Sequence, residues 1–349
     1  MRIEPDHELL QYSGRIDWED RKAPVFIFAG SWVKIRFQGS GLSVEVTNHR
    51  SYGSNFLGYL LDGEQKKLLL VQDGEKHGYA LGKGLSEREH ELLLFKRMDA
   101  CHYFTFHGFE LEEGEILTLP EKPARRIEVF GDSVSCGEVS EAVDYAGKED
   151  PVHDGEFSNS WYSYSWITAR RLEAELHITS QGGAALLDGT GWFHGPDYIG
   201  MESIYDKIEY NPAIRPVKEW DFRSWRPNVA VIAIGQNDAN PEDYMAADPD
   251  GGKAENWKAR YQDWIGKLME LYPGAQFVLT TTILNHNAAW DEAIEQVCRR
   301  IDSPRVHHFL YTRNGRGTPG HIRIPEAEGM AEELSAFIRS LGDIWQEAL

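Results

Sequence analysis

With 349 residues, 41% of them hydrophobic and 12% aromatic, the chain is longer than one ordinary core and carries apolar material for two domains. A net charge of −20 argues against binding nucleic acid or an anionic membrane surface through bulk electrostatics, and favours a neutral or cationic small substrate. The cysteines, Cys101, Cys136 and Cys298, have no metal-ligand spacing, and their odd number gives no disulfide framework, as suits a reducing compartment. The segment Met1-Arg2-Ile3-Glu4-Pro5-Asp6-His7 lacks the apolar core of a signal peptide and no long apolar run follows. The expected location is therefore cytoplasmic, or secreted if a signal peptide has been removed.

Residues 1–122 read as β structure. Trp32–Phe37 and Leu42–Val46 alternate apolar with polar residues, and the short apolar runs Val25–Phe28, Lys67–Val71, Glu91–Lys96 and Tyr103–Leu111 continue the strand pattern. Gln38-Gly39-Ser40-Gly41, Asp62-Gly63-Glu64 and Asp73-Gly74-Glu75 read as the turns between them. Repeated short strands without an amphipathic helix predict a two-sheet sandwich of the jelly-roll kind, which either packs or binds sugar. Leu117 to Ala124 contains two prolines and separates this pattern from residues 123–349, where strands and helices alternate. That alternation predicts a parallel, three-layer α/β sheet. Strands are expected at Ile127–Phe130, Leu176–Ser180, Val229–Ile234, Gln276–Ile283 and Arg305–Tyr311. Helices are expected at Trp161–Glu175, Trp257–Tyr272, Ala288–Arg300 and Pro325–Leu341.

Three of these strands end in glycine-rich or polar loops: Gly131-Asp132-Ser133, Gln181-Gly182-Gly183 and Gly235-Gln236-Asn237-Asp238. In a parallel sheet such ends share one edge, where open α/β folds place ligands. Ser133 is a candidate nucleophile if a base lies within reach, although Gly-Asp-Ser is also a good turn. Backbone N–H groups at the glycines and the Asn237 amide are the fixed donors that an oxyanion needs. Of thirteen histidines, His321 follows the last strand in a glycine-rich loop and falls on the same edge. His177, His307 and His308 lie within strands and read as structural. His194, in Gly191-Trp192-Phe193-His194-Gly195, suits substrate contact better than base chemistry. Trp192 belongs to an aromatic insertion reaching Tyr210 and is either a sugar-stacking platform or part of the loop's own core. Asp132 and Asp238 read as loop braces.

These residues carry a family resemblance. Gly131-Asp132-Ser133, the Gly182 region, Gly235-Gln236-Asn237-Asp238 and His321 resemble, in order and spacing, the four blocks of the SGNH (GDSL-type) hydrolases. The Asn159-Ser160-Trp161 helix entry, Ser224-Trp225-Arg226-Pro227-Asn228 and the β-sandwich in front are similar to carbohydrate esterase family two, acetyl esterases of xylan and related glycans. The resemblance implies a jelly-roll domain followed by an SGNH-type α/β/α domain. It also implies Ser133 as nucleophile, His321 as general base, and an oxyanion hole of Ser133 N–H, a glycine N–H and Asn237. Of Gly182 and Gly183, the first is the expected donor. No metal or organic cofactor is implied. The expected partner is an acetylated oligo- or polysaccharide, with no nucleic acid or membrane, and a homo-oligomer is compatible with the sequence. Two positions depart from the pattern: Thr318 stands where an aspartate commonly precedes the histidine by three residues, and Ile322 replaces the usual proline. The expectation is a Ser–His dyad with a neutral acceptor, such as a backbone carbonyl, on His321. The competing readings are a lipase or thioesterase of the same fold acting on short acyl chains, and a non-catalytic carbohydrate-binding protein.

Overall fold

The computed structural model of the chain describes residues 1–99 and 102–345; Cys101 lies outside them. Strands β1 (Arg2–Ile3), β2 (Gln11–Ser13), β3 (Ile16–Asp17), β4 (Val25–Phe26), β5 (Trp32–Arg50), β6 (Phe56–Leu61), β7 (Glu64–Leu69), β8 (Lys76–Lys83), β9 (Glu89–Lys96) and β10 (His102–Leu117) form one antiparallel ten-stranded sheet. The expected sandwich is made by this sheet curling over on itself. The 19-residue β5 shows how. Val33, Ile35 and Phe37 point into the core from odd positions, whereas Leu42, Val44 and Val46 reach the same core from even ones. A strand whose opposite faces meet one core must coil around it.

The stretch Gln38–Gly41 is therefore no turn, as its glycines suggested, but the middle of β5. A side chain at Gly39 would come within 2.8 Å of Leu111 and 2.9 Å of the Glu112 and Glu113 carbonyls. Glycine is required there for close approach rather than for chain reversal. The Asp62-Gly63 turn is as expected, with both residues at positive φ, 53° and 83°, in a two-residue hairpin between β6 and β7.

The second half is a five-stranded parallel sheet in the order β12 (Ala174–Ser180), β11 (Arg125–Gly131), β15 (Val229–Ala233), β16 (Gln276–Thr280), β17 (Val306–His308). A small hairpin, β13 (Lys207–Glu209) with β14 (Lys218–Glu219), stands apart from it and had no periodic signal. Helices α1 (Ser133–Cys136), α2 (Tyr164–Arg171), α3 (Tyr244–Ala247), α4 (Gly252–Leu271), α5 (Ala289–Ile301) and α6 (Ile324–Ser340) complete the fold. Successive residues of β15 divide between two cores, Val229 and Val231 packing with α2 and α6, Ala230 and Ile232 with α4 and α5. That is why the strand is apolar throughout. The predicted helix at Trp161–Glu175 is shorter than its pattern: a 3₁₀ turn at Ser160–Tyr162 precedes α2, and β12 already begins at Ala174. Among the described residues no helix is long and apolar enough to cross a membrane.

The outer face of the curled sheet packs directly on the parallel one. Val25, Ile27, Phe28 and Tyr103 share a core with Phe130 and α4. Beneath this contact Arg15 and Glu128, both wholly buried, form an ion pair at 2.9 Å. Thr179 and Tyr272 hydroxyls donate to the same carboxylate at 2.6 and 2.5 Å.

Candidate active site

The carboxyl ends of β11, β12 and β15 open into one cleft of about 630 Å³. Ser133, Gly182, Gly183, Trp192, His194, Asn237 and His321 all line it. Ser133 is the first residue of α1, whose abrupt start depends on Gly131: a side chain there would lie 2.1 Å from Ser135 Oγ. Asp132 caps the helix by accepting from Val134 N at 3.0 Å. Its other oxygen accepts from the side-chain amides of Gln236 (2.5 Å) and Asn237 (2.9 Å), so the first and third loops are tied together. Burial pushes this carboxyl up to about 6. Asp238 is likewise a brace, accepting from Leu186 N and Trp257 Nε1, and burial pushes it up to about 7.

The candidate oxyanion donors differ in availability. Gly182 N–H, the favoured one of the two glycines, donates to Asp99 Oδ2 at 3.0 Å. Asp99 follows β9 and also accepts from Gln181 Nε2 at 2.9 Å, while the buried Lys96 ammonium holds the Met98 and Asp99 carbonyls. The backbone N–H groups of Ser133 and Gly183 have no partner among the described residues. The Asn237 amide nitrogen sits between Asp132 Oδ2 and the Ala184 carbonyl, the latter at 3.1 Å.

His321 is where the structure departs furthest from expectation. Its Nδ1 faces no neutral acceptor but the carboxylate of Asp150, at 2.7 Å, and its backbone N–H donates to the same group at 3.0 Å. Arg323 steadies the arrangement, donating to Asp150 Oδ1 at 2.8 Å and to the His321 carbonyl at 2.5 Å. Thr318, at the position of the missing aspartate, instead accepts from Gly147 N through its hydroxyl. Asp150 lies on the long loop 137–159 after α1, which also carries Glu138 and His153. Burial alone would raise Asp150, but hydrogen bonds from His153 and His321 hold it well below the usual carboxylate range. Burial would likewise lower His321, yet Glu138 and the Asp150 hydrogen bond outweigh it and hold the imidazole above its ordinary value. Among His, Cys and acidic side chains described, Asp150, His153 and His321 approach closely enough to share a cation, but Arg323 already neutralises Asp150 and no metal role is assigned.

His177 and His307, expected to be structural, make structural contacts. His177 is buried, stacked on Trp225 at 3.6 Å, and burial depresses it well below its ordinary value. His307 bonds Gln276 at 2.9 Å. The aromatic insertion divides: Phe193 and Tyr210 belong to the core, whereas Trp192 is 64% exposed on the cleft wall. Sequence reasoning missed Asp150, Glu138, His153, Asp99 and Tyr52, the last two reaching the cleft from the curled sheet. The one available signal was the acidic and histidine content of Glu138 to Asp154.

The pattern of the carbohydrate esterase 2 N-terminal family matches residues 12–120. CelE, a cellulase/esterase of Acetivibrio thermocellus, is 28% identical over 346 residues, covering 96% of this chain, which spans only 40% of that protein's length. An acetylxylan esterase / glucomannan deacetylase of Cellvibrio japonicus is 26% identical over 339 residues, covering 96% of this chain and 89% of that protein. In fold, a family two carbohydrate esterase from Clostridium thermocellum, solved with cellohexaose, has a TM-score of 0.80 at 25% identity, covering 95% of this chain and 98% of that one. The likeness to carbohydrate esterase family two expected from the helix entry, Ser224–Asn228 and the leading β-sandwich is thus present in sequence and in fold.

Proposed function

We propose, from the likeness of this chain in sequence and fold to the family two carbohydrate esterases, that it is a serine esterase removing O-acetyl groups from carbohydrate, of the xylan or xylo-oligosaccharide type. The observation that carries this reading is the cleft itself, in which Ser133 and His321 face one space and a carboxylate holds His321 Nδ1 at 2.7 Å. A carboxylate on Nδ1 keeps a proton there and leaves Nε2 as the basic nitrogen.

His321 Nε2 takes the Ser133 proton as Oγ attacks the acetyl carbonyl carbon. The Ser133 and Gly183 N–H groups receive the oxyanion, and Gly182, committed to Asp99, is left to shape the loop. Asn237 joins them by loosening its 3.1 Å bond to Ala184. The intermediate collapses with cleavage of the bond to the sugar oxygen, which leaves with the proton returned by His321. Water then attacks the acetyl-serine, His321 again taking and returning a proton, and acetate is released. Asp150 orients the ring and stabilises the imidazolium without itself being protonated.

The test is Ser133→Ala against wild type on acetylated xylo-, manno- and gluco-oligosaccharides, with a serine-directed phosphonate label as a second readout. Acetate release and labelling should both vanish while the fold is retained. Labelling that persists in the alanine variant removes Ser133 from the mechanism. Nitrophenyl acetate should be preferred over the octanoate at least tenfold, and the reverse preference would favour a lipase.

A further inference from the structure

His153 bridges two carboxylates, its Nδ1 lying 2.8 Å from Glu138 Oε1 and its Nε2 3.0 Å from Asp150 Oδ2. A neutral imidazole would turn an acceptor nitrogen toward one of these anions, so a ring bonded to both is an imidazolium. Those two hydrogen bonds raise it to about 10. The His321 ring stands edge-on to it, with centroids 5.2 Å apart. Glu138 closes the circuit, its Oε2 lying 3.7 Å from His321 Nε2. His321 thus has an anion beside each ring nitrogen, Asp150 on one and Glu138 on the other. Left alone, that pair would favour the doubly protonated imidazole, which cannot accept the serine proton.

We propose that His153 and Glu138 are an opposed pair of positioning residues that together set the pH at which His321 gives up its second proton and becomes a base. This rests on the reading of His321 as the general base. Glu138 favours the imidazolium that forms during turnover. The His153 charge limits that effect, by direct repulsion across 5.2 Å and by neutralising both carboxylates. The other charged groups around the ring are Arg323, on Asp150 and the His321 carbonyl, and the buried Asp132 behind Ser133. Asp99 lies across Gly182 from Glu138: a side chain on that glycine would meet both carboxylates, at 2.5 and 2.9 Å. None of these bonds His153, so removing its charge leaves their own contacts in place.

The experiment titrates His321 by NMR in ¹⁵N-histidine-labelled Ser133→Ala protein, its signal identified by loss in a His321→Gln variant. His153→Gln should move the midpoint up by roughly one pH unit, and Glu138→Gln should move it down by a similar amount. His153→Lys, which keeps the charge, should stay near the parent value. The acid limb of kcat/KM in the active enzyme should shift in the same two directions. A merely structural role would not shift the two glutamine variants oppositely. Midpoints that stay put, or move the same way in both, overturn the proposal. If His321→Ala retains turnover, the parent reading fails instead; an inactive His321→Ala with unmoved midpoints refutes the pair alone.

Discussion

Asp150→Asn is the substitution that most directly tests how His321 is held. The carboxylate accepts from His321 Nδ1 at 2.7 Å, from its backbone N–H at 3.0 Å, from Arg323 at 2.8 Å and from His153 at 3.0 Å. An asparagine has one accepting oxygen, so its NH₂ must face at least one of these donors, and the ring loses the reason to keep its proton on Nδ1. With the proton on Nε2 the imidazole cannot take one from Ser133. The equivalent exchange in a serine protease lowers kcat by about 10⁴, or about 5.5 kcal/mol. Glu138, 3.7 Å from the other nitrogen, still stabilises an imidazolium, so a loss of about 10³ to 10⁴ in kcat is expected with little change in KM. The pH profile should move too. Asp150 helps hold His321 above its ordinary value, so removing the anion disfavours the imidazolium and shifts the acid limb to lower pH as the plateau falls. Acetate release from an acetylated oligosaccharide is the assay of choice, because nitrophenolate departs without a proton and hides half of His321's work. A loss below about tenfold, or a limb that does not move, would refute the orientation argument.

Asn237→Ala should lower kcat by about two to three orders of magnitude with KM little changed; an effect mainly on KM would make the amide a ground-state contact. Trp192→Ala should leave the fold intact, since the residue is 64% exposed, and raise KM for oligosaccharides more than for nitrophenyl acetate. Equal effects on both substrates would deny it a stacking role. Arg15→Met should destabilise the protein by about 3 to 5 kcal/mol in urea unfolding, because Glu128 would keep two hydroxyl partners but lose its counter-charge. A loss under about 1 kcal/mol would mean the carboxylate is protonated or solvated.

What could be read from the sequence followed the range of the interaction concerned. Ser133, the glycine pair, Asn237 and His321 each sit at the end of an element with its own periodicity, so order along the chain placed them on one edge. Asp150 does not. It meets His321 across 171 residues of sequence, from a loop with no periodic signal, whereas the family pattern puts the orienting group three residues upstream, where Thr318 stands. The difference between the Gly182 and Gly183 N–H groups was illegible for a related reason. Only the fold brings Asp99 from the other sheet onto the Gly182 N–H. Gln38–Gly41 looked like a turn because glycine favours turns, and the close approach of Leu111 that actually demands it is visible only once β5 and β10 are paired. The overlong helix at Trp161–Glu175 had its end set by Glu173, which takes φ of 52°, a conformation that glutamate does not advertise.

The Arg15–Glu128 pair also bears on how such a chain can be inherited. Recombination shuffles a unit freely only when its neighbour can be cut away without exposing a debt, and this contact is not of that kind. A parallel-sheet half passed on without the curled sheet would carry a bare carboxylate on β11 and a naked apolar face around Phe130. The Gly182 loop would also lose Asp99, the acceptor of its N–H. Cutting the chain at the Pro120–Pro123 junction would therefore leave a buried charge without its partner and expose the shared apolar core on both sides.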